Sequence, residues 1–352
     1  MNRKNPSSMN LSPMKRDYWP TREWWTKDPV SAGMDPEKFT VLEQMIQSDY
    51  QNINGIVIVR KGHIVYERYY HGHGPDDAYH VTSVTKSFIS ALIGIAIDAG
   101  YIRSVDQKVL DFFPEYIPVA AEGQKREITL RHLLMMTAPW PFEDWHEPLD
   151  RMCMQPDWVK YTLDILSQKG SIGTFKYSTA GAHLLSAIIT RSTGKSAREF
   201  ANECLFRPTG MIEIPDFTME SFGFEDLFGK KVKGWVNDPN RNSTGGWGLT
   251  LNLRDMARFG FLYLNYGRWD NNQIISRSWI DDSTAMNPNN YGYLWWLREE
   301  DGVFAYSALG DGGNVICCIP EKDLVVAIAS EFAMNPRDRW PLITKCIIPA
   351  VQ

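Results

Sequence analysis

The spacing of apolar residues along this chain changes twice, and the changes divide it. Gly55-Ile56-Val57-Ile58-Val59-Arg60 and His63-Ile64-Val65-Tyr66-Glu67-Arg68-Tyr69-Tyr70 are β-branched and aromatic runs on either side of Lys61-Gly62. That pattern predicts an antiparallel hairpin with a two-residue turn. Residues 36–49 ahead of it read as a helix, with Asp35 as N-cap and Pro36 at its first position. The most apolar helix of the chain follows the hairpin, opening at Ser83 and running through residues 88–97 to Asp98 and Gly100. From 106 to about 285 the spacing is mostly helical, with helices over 129–136, 177–192, 197–205 and 253–266 separated by long polar loops. Strand-like runs return at 293–298, 303–308, 314–319 and 324–330, and a terminal helix begins near Asp338.

These runs predict an α+β fold in which strands from both ends of the chain share one antiparallel sheet flanked by helices. The expected division is an N-terminal arm (1–35), a discontinuous sheet domain (36–105 and 286–352) and an inserted, mainly helical domain (106–285). The arm is rich in Pro, Asn, Ser and charge, but Trp19, Trp24 and Trp25 predict that its later part packs on the body. No internal repeat or low-complexity tract is seen.

Composition removes several function classes. The 352 residues are 43% hydrophobic, enough for a large core. A net charge of −5 and no basic block argue against a nucleic-acid or anionic-membrane surface. The apolar run 88–97 is too short to span a bilayer. No apolar stretch follows the polar first residues, so the expectation is a cytoplasmic protein without a secretory signal. Cys153, Cys204, Cys317, Cys318 and Cys346 show no C-x-x-C spacing and read as reduced thiols, with adjacent Cys317 and Cys318 on opposite faces of a strand. The seven histidines lack ligand spacing, so neither a metal nor another cofactor is expected.

The chemistry concentrates at the start of the apolar helix. Ser83 and Lys86 stand at i and i+3, on one helix face. An apolar wall and the positive end of the helix dipole both push a lysine toward its neutral, proton-accepting form. The same dipole and the free N–H groups of the first turn favour negative charge on an attacked carbonyl oxygen. Ser-x-x-Lys also occurs at Ser12 and Ser192, but neither opens a buried helix. Taken alone, the local pattern reads equally well as an N-cap serine with a lysine reaching solvent. Tyr177, just before another apolar helix, reads either as a packing tyrosine or as a phenol beside the serine and lysine, where a cationic neighbour favours phenolate and base–acid work. His80 and His132 read as structural, because no G-x-S-x-G elbow exists and neither has an evident acidic orienter.

Ser83-Val84-Thr85-Lys86, then Tyr177-Ser178-Thr179, then Tyr306-Ser307-Ala308-Leu309-Gly310-Asp311-Gly312-Gly313 resemble the three ordered motifs of the serine β-lactamase and penicillin-binding superfamily. The similarity is closest to class C β-lactamase-like hydrolases, a group that includes family VIII esterases and 6-aminohexanoate-dimer hydrolases. It runs from about residue 25 to 335. It implies a β-lactamase/transpeptidase-like fold, Ser83 as acylated nucleophile, Lys86 as its activating partner and Tyr177 as general base and acid. The implied oxyanion hole is the backbone N–H of Ser83 and of Asp311. Substrate-binding positions implied or suggested are Thr179, Ala308 and Gly310, with Trp140 and Trp247 from aromatic loops.

Two departures from the family pattern shape the expected substrate. Thr179 stands where an amide-bearing Asn is common, and Ala308 where a carboxylate-holding Lys is common. Both weaken lactam recognition. The expectation is therefore a serine hydrolase acting on a small ester, or a small amide, without a cofactor. Asp311 as an amine anchor favours, as the enzymatic alternative, an amidase or peptidase on short linear amides or D-amino-acid peptides with weak β-lactamase activity. A non-catalytic ligand-binding member of the fold is the other alternative.

Overall fold

The two ends of the chain meet in a single antiparallel sheet. Strands β1 (Ile53–Arg60) and β2 (His63–Tyr69) come from the front, and β3 (Trp296–Glu300), β4 (Val303–Gly310), β5 (Asn314–Ile319) and β6 (Leu324–Ser330) from the back, in the order β2-β1-β6-β5-β4-β3. The junction is β1 against β6, with Ile56 facing Ile328 and Val59 facing Val325. Lys61 and Gly62 both take positive φ, as a tight hairpin turn requires. The computed structural model describes residues 15–118, 123–143, 145–219, 221, 224–227, 232–333 and 335–352. Ser12, of the N-terminal Ser-x-x-Lys, lies outside them.

Strand alternation sorts the core into two layers. Val57, Val59, Ile316, Cys318, Val325 and Ala327 face one layer, while Ile56, Ile58, Val315, Cys317, Val326 and Ile328 face the other. Cys317 and Cys318 thus point to opposite faces, and all five cysteines are free. Helix α1 (Glu37–Asp49) covers the second face with Phe39, Leu42 and Ile46, beside Leu342, Ile343 and Ile347 of the C-terminal helical segment. It starts one residue later than expected, with Asp35 Oδ1 accepting the Glu37 N–H at 2.9 Å. On the first face lies α2 (Val84–Asp98), buried along nearly its whole length, with α3 (Leu130–Leu134) and α4 (Thr179–Thr193) layered beyond it. Helix α5 (Leu253–Leu264) packs so close to the sheet that a Cβ on Gly260 would lie 2.6 Å from Val325. No helix among the described residues is long and apolar enough to cross a membrane.

Two expected elements are shifted, each for a local reason. The strand anticipated at 293–298 begins only at Trp296, because Leu294 turns at φ 61° and is tied inward. Its N–H donates to Leu134 O at 2.9 Å and its carbonyl accepts Ser87 Oγ at 2.7 Å. The helix expected over 197–205 is α-helical for Ala197–Ala201 and then loosens to a π-turn over Asn202–Phe206. Pro208, just beyond, has no N–H to give Cys204.

Candidate active site

Ser83 does not cap α2 with its side chain, and Lys86 does not reach solvent. Lys86 is 1% exposed and its Nζ donates to Ser83 Oγ at 3.0 Å, to Thr179 Oγ1 at 3.2 Å and to Gly246 O at 2.8 Å. The three acceptors come from α2, the start of α4 and the 238–248 loop. All are neutral, so burial dominates and pulls the amine down to about 8, against the opposing charges of Glu147 and Asp311. The loop approaches α4 only because glycines face it, since a Cβ on Gly246 would lie 2.4 Å from Thr179 Cγ2 and one on Gly245 2.0 Å from Ala182 O. Ser83 is presented by strain at its neighbour. Thr82 is β-branched yet sits at φ 48°, held by Oγ1 donating to Val81 O at 2.9 Å and to Asp311 O at 3.1 Å. Such a conformation costs about 1–3 kcal/mol and persists only where its surroundings enforce it.

Tyr177 closes the cluster. Its hydroxyl shares a hydrogen bond with Ser83, and Lys86 Nζ lies 4.8 Å from its ring centroid. The phenolate expected beside a cationic lysine is not favoured here. Burial raises the phenol well above its ordinary value, the charges of Asp311 and Glu147 raise it further, and only the Ser83 hydrogen bond opposes them. The ring is enclosed by aromatic neighbours, stacked on Trp145 (centroids 4.9 Å apart) and Trp296 (5.8 Å), with Tyr291 edge-on.

Ser83, Tyr177, Thr179, Gly310 and Asp311 line one cavity of about 990 Å³. Three of the expected substrate-binding residues do not. Ala308 is 1% exposed and points into the core, and the strand alternation of β4 gives the cavity Ser307 and Leu309 instead. Trp140 and Trp247 are buried indoles, Trp140 stacked on Phe142 and Trp247 on Trp158. Trp145 and Trp296 supply the aromatic wall. Gly310 does line the cavity, but its missing Cβ makes room for Val81 O and Thr82 Oγ1, each 2.3 Å from where that atom would sit, not for a ligand. His80 and His132 are structural. His80 Nε2 accepts the Gly248 N–H at 3.0 Å and is driven down to about 4 by burial, while His132 Nδ1 closes a capping box with Thr129.

One charged residue of the cluster carried no sequence signal. Glu147, in the aperiodic loop that follows α3, accepts the backbone N–H of Thr179 at 2.5 Å (Oε2), that of Ala180 at 2.8 Å and the Ser178 hydroxyl at 3.1 Å (both Oε1). Burial raises its carboxyl, against those donors and the Lys86 charge. Among the described residues no group of three or more His, Cys, Asp or Glu side chains is placed to hold a metal ion.

A family profile described as Beta-lactamase matches residues 42–340. The 6-aminohexanoate-dimer hydrolase of Paenarthrobacter ureafaciens is 23% identical over 356 residues, covering 91% of this chain and 84% of the relative. Among solved structures, EstCE1, a hydrolase with promiscuous acyltransferase activity, superposes with a TM-score of 0.67 at 16% identity, over 90% of this chain and 98% of its own. A class C beta lactamase from Rhodobacter sphaeroides does so with a TM-score of 0.62 at 16% identity, over 90% and 100%. The fold class expected from the motifs is the one these structures share.

Proposed function

This chain belongs to the Beta-lactamase family, and from that premise we propose that it is a serine hydrolase that forms an acyl-enzyme on Ser83 and cleaves small esters, with amides as second choice. The observation that carries the reading is the contact of a buried amine, with its proton affinity lowered to about 8, with the Ser83 hydroxyl at 3.0 Å.

Neutral Lys86 takes the Ser83 proton as Oγ attacks the substrate carbonyl carbon. The oxygen that becomes negative is held by the backbone N–H groups of Ser83 and Asp311, both on the cavity wall. As the tetrahedral adduct collapses, the carbon–oxygen bond to the leaving group breaks and Tyr177 donates its proton to the departing alcohol. Lys86, which holds the proton taken from Ser83, then returns it to the Tyr177 oxygen, so that both groups are restored while Ser83 Oγ carries the acyl group. Water then attacks the acyl carbon with the same groups passing its proton back to Ser83 Oγ. Because its phenol is held protonated in the resting site, Tyr177 serves as relay and acid, and Lys86 is the base.

Esters are the better substrate on chemical grounds. Alkoxides leave more readily than amines, Thr179 stands where an amide-binding Asn is common, and the β4 residues that face the cavity, Ser307 and Leu309, offer no lysine to anchor a carboxylate. The amide reading draws on the Asp311 carboxylate at the cavity mouth and on similarity to a relative named for hydrolysing an amide dimer. Ser83→Ala is expected to abolish p-nitrophenyl butyrate hydrolysis, and intact-protein mass spectrometry should show the acyl adduct only on the parent chain. In the parent, kcat/KM should climb with pH through about 8, as Lys86 loses its proton. Undiminished turnover in Ser83→Ala would end the proposal, and saturable binding of an unmodified ester without an adduct would favour a non-catalytic role.

A further inference from the structure

Glu147 is a partly buried carboxylate on the cavity wall at the reactive cluster that no step above uses. Its oxygens take the first two N–H groups of α4, those of Thr179 and Ala180, while Ser178 Oγ takes the third, from Gly181, at 2.9 Å. The start of a 15-residue helix is thereby satisfied by an anion from a separate loop. Thr179 is the link to the chemistry. Its N–H donates to Glu147 at 2.5 Å while its hydroxyl accepts from Lys86 Nζ at 3.2 Å, so one residue separates the carboxylate from the amine. Lys86 touches no carboxylate directly, its three acceptors being neutral oxygens. The titratable groups facing it are Tyr177 from the approach to α4, Glu147 from the loop after α3 and Asp311 from the β4–β5 turn. Asp311 is exposed at the mouth and screened by water, whereas Glu147 acts from inside, where a charge is felt more strongly.

We propose that Glu147 is a positioning residue for Lys86. It fixes Thr179 where the hydroxyl can accept from the amine, and its negative charge sets the pH at which Lys86 can take the Ser83 proton. The inference rests on the Ser83 hydrolase reading above. The sign follows from electrostatics: removing a nearby negative charge disfavours the ammonium, so the amine loses its proton at lower pH. A residue that only braces the helix would lower the rate equally at every pH.

The test is the pH profile of kcat/KM for p-nitrophenyl butyrate on the full chain, for the parent, Glu147→Gln and Glu147→Asp. In Glu147→Gln the rising limb should move down by about one pH unit, the lower end of a close charge's effect, so that activity falls less at pH 6 than at pH 9. Glu147→Asp keeps the charge on a shorter arm. Its limb should stay within about 0.3 unit of the parent while kcat falls several-fold. An unmoved limb in Glu147→Gln, or an equal shift in both variants, overturns the proposal. Should Glu147→Gln fail to fold, Glu147→Ala removes the same charge and is read the same way: a limb that stays at the parent's position overturns the proposal. Ser83→Ala separates the two levels, because retained turnover there defeats the hydrolase reading itself, whereas Ser83-dependent turnover with an unmoved limb defeats only the role of Glu147.

Discussion

On the α2 side of the cavity the polar groups of Ser83, Lys86, Thr179 and Glu147 are each paired within the protein, and glycines allow backbone to press against backbone. On the β4 side the wall is open. Leu309 and Asp311 are exposed on one rim, and Trp145 is 63% exposed on the other. One wall is over-determined and built from helix starts that converge from distant parts of the chain. The other is assembled from loop and strand-edge side chains with few constraints on their identity. Reaction machinery tolerates little displacement, because an error of about 1 Å in a reacting atom can cost 10²-fold, whereas a binding wall can vary. The contrast implies that changes on the first side act on the rate of the chemical step, and changes to the exposed side chains of the second alter affinity alone.

The strongest way to break that contrast is Lys86→Met. Activity should fall by about 10³-fold or more with the base gone. Stability should move the other way. A lysine pulled from 10.5 to about 8 by burial costs the folded state about 3 kcal/mol at neutral pH, a penalty fully present below pH 8 and gone above about 10.5. Methionine removes that penalty and orphans the Gly246 carbonyl, which costs about 1–3 kcal/mol. The variant should therefore melt no lower than the parent at pH 7; a drop of several degrees would show that the amine holds the fold. Next in size is Gly310→Ala. Its new Cβ would collide with Val81 O and Thr82 Oγ1 at 2.3 Å, displacing the strained residue that presents Ser83. A loss of about 1–3 kcal/mol in thermal unfolding is expected. With it, kcat should fall about ten- to hundredfold, and unchanged kcat would mean that Thr82 does not position the nucleophile.

The two walls also differ in how far they could be read from residues alone. Ser83, Lys86, Tyr177 and Thr179 lie at helix starts followed by long apolar runs, so motif and periodicity point to the same places, and the structure brings all four together. The sheet was readable for the same reason, since β1, β5 and β6 are continuous runs of buried residues bounded by turn signals. Glu147 was not, because its loop has no period and its partners are backbone N–H groups, which any sequence supplies. Nor was the proton affinity of Tyr177, which depends on Trp145, Trp296 and Tyr291 closing around it from three separate segments. At Ala308 the motif reading is one residue out of step with the strand, whose cavity-facing residues are Ser307 and Leu309. A period of two turns such a slip into the opposite face, and a glycine-rich run has few side chains to pin the register.

The smallest expected effect, and the most direct measure of the open wall, comes from comparing two tryptophans of the same loop region. Trp140 is 1% exposed and packed against Phe142 and the first turn of α4, where a Cβ on Gly181 would touch it at 3.0 Å. Trp145 lies over Tyr177 and Trp296 with its indole largely open to the cavity, at φ 63°, a conformation that bulky residues avoid. Trp140→Ala should cost about 3–5 kcal/mol of stability, as core indole deletions do, and leave KM of the folded fraction unchanged. Trp145→Ala should barely move the melting temperature. It removes a flat apolar surface that a bound aryl ester meets equally in ground and transition states, so KM should rise about three- to tenfold with kcat nearly constant. A fall in kcat without a rise in KM would place Trp145 with the constrained wall, as a brace for Tyr177, and the boundary between the two regions would then run outside the aromatic stack.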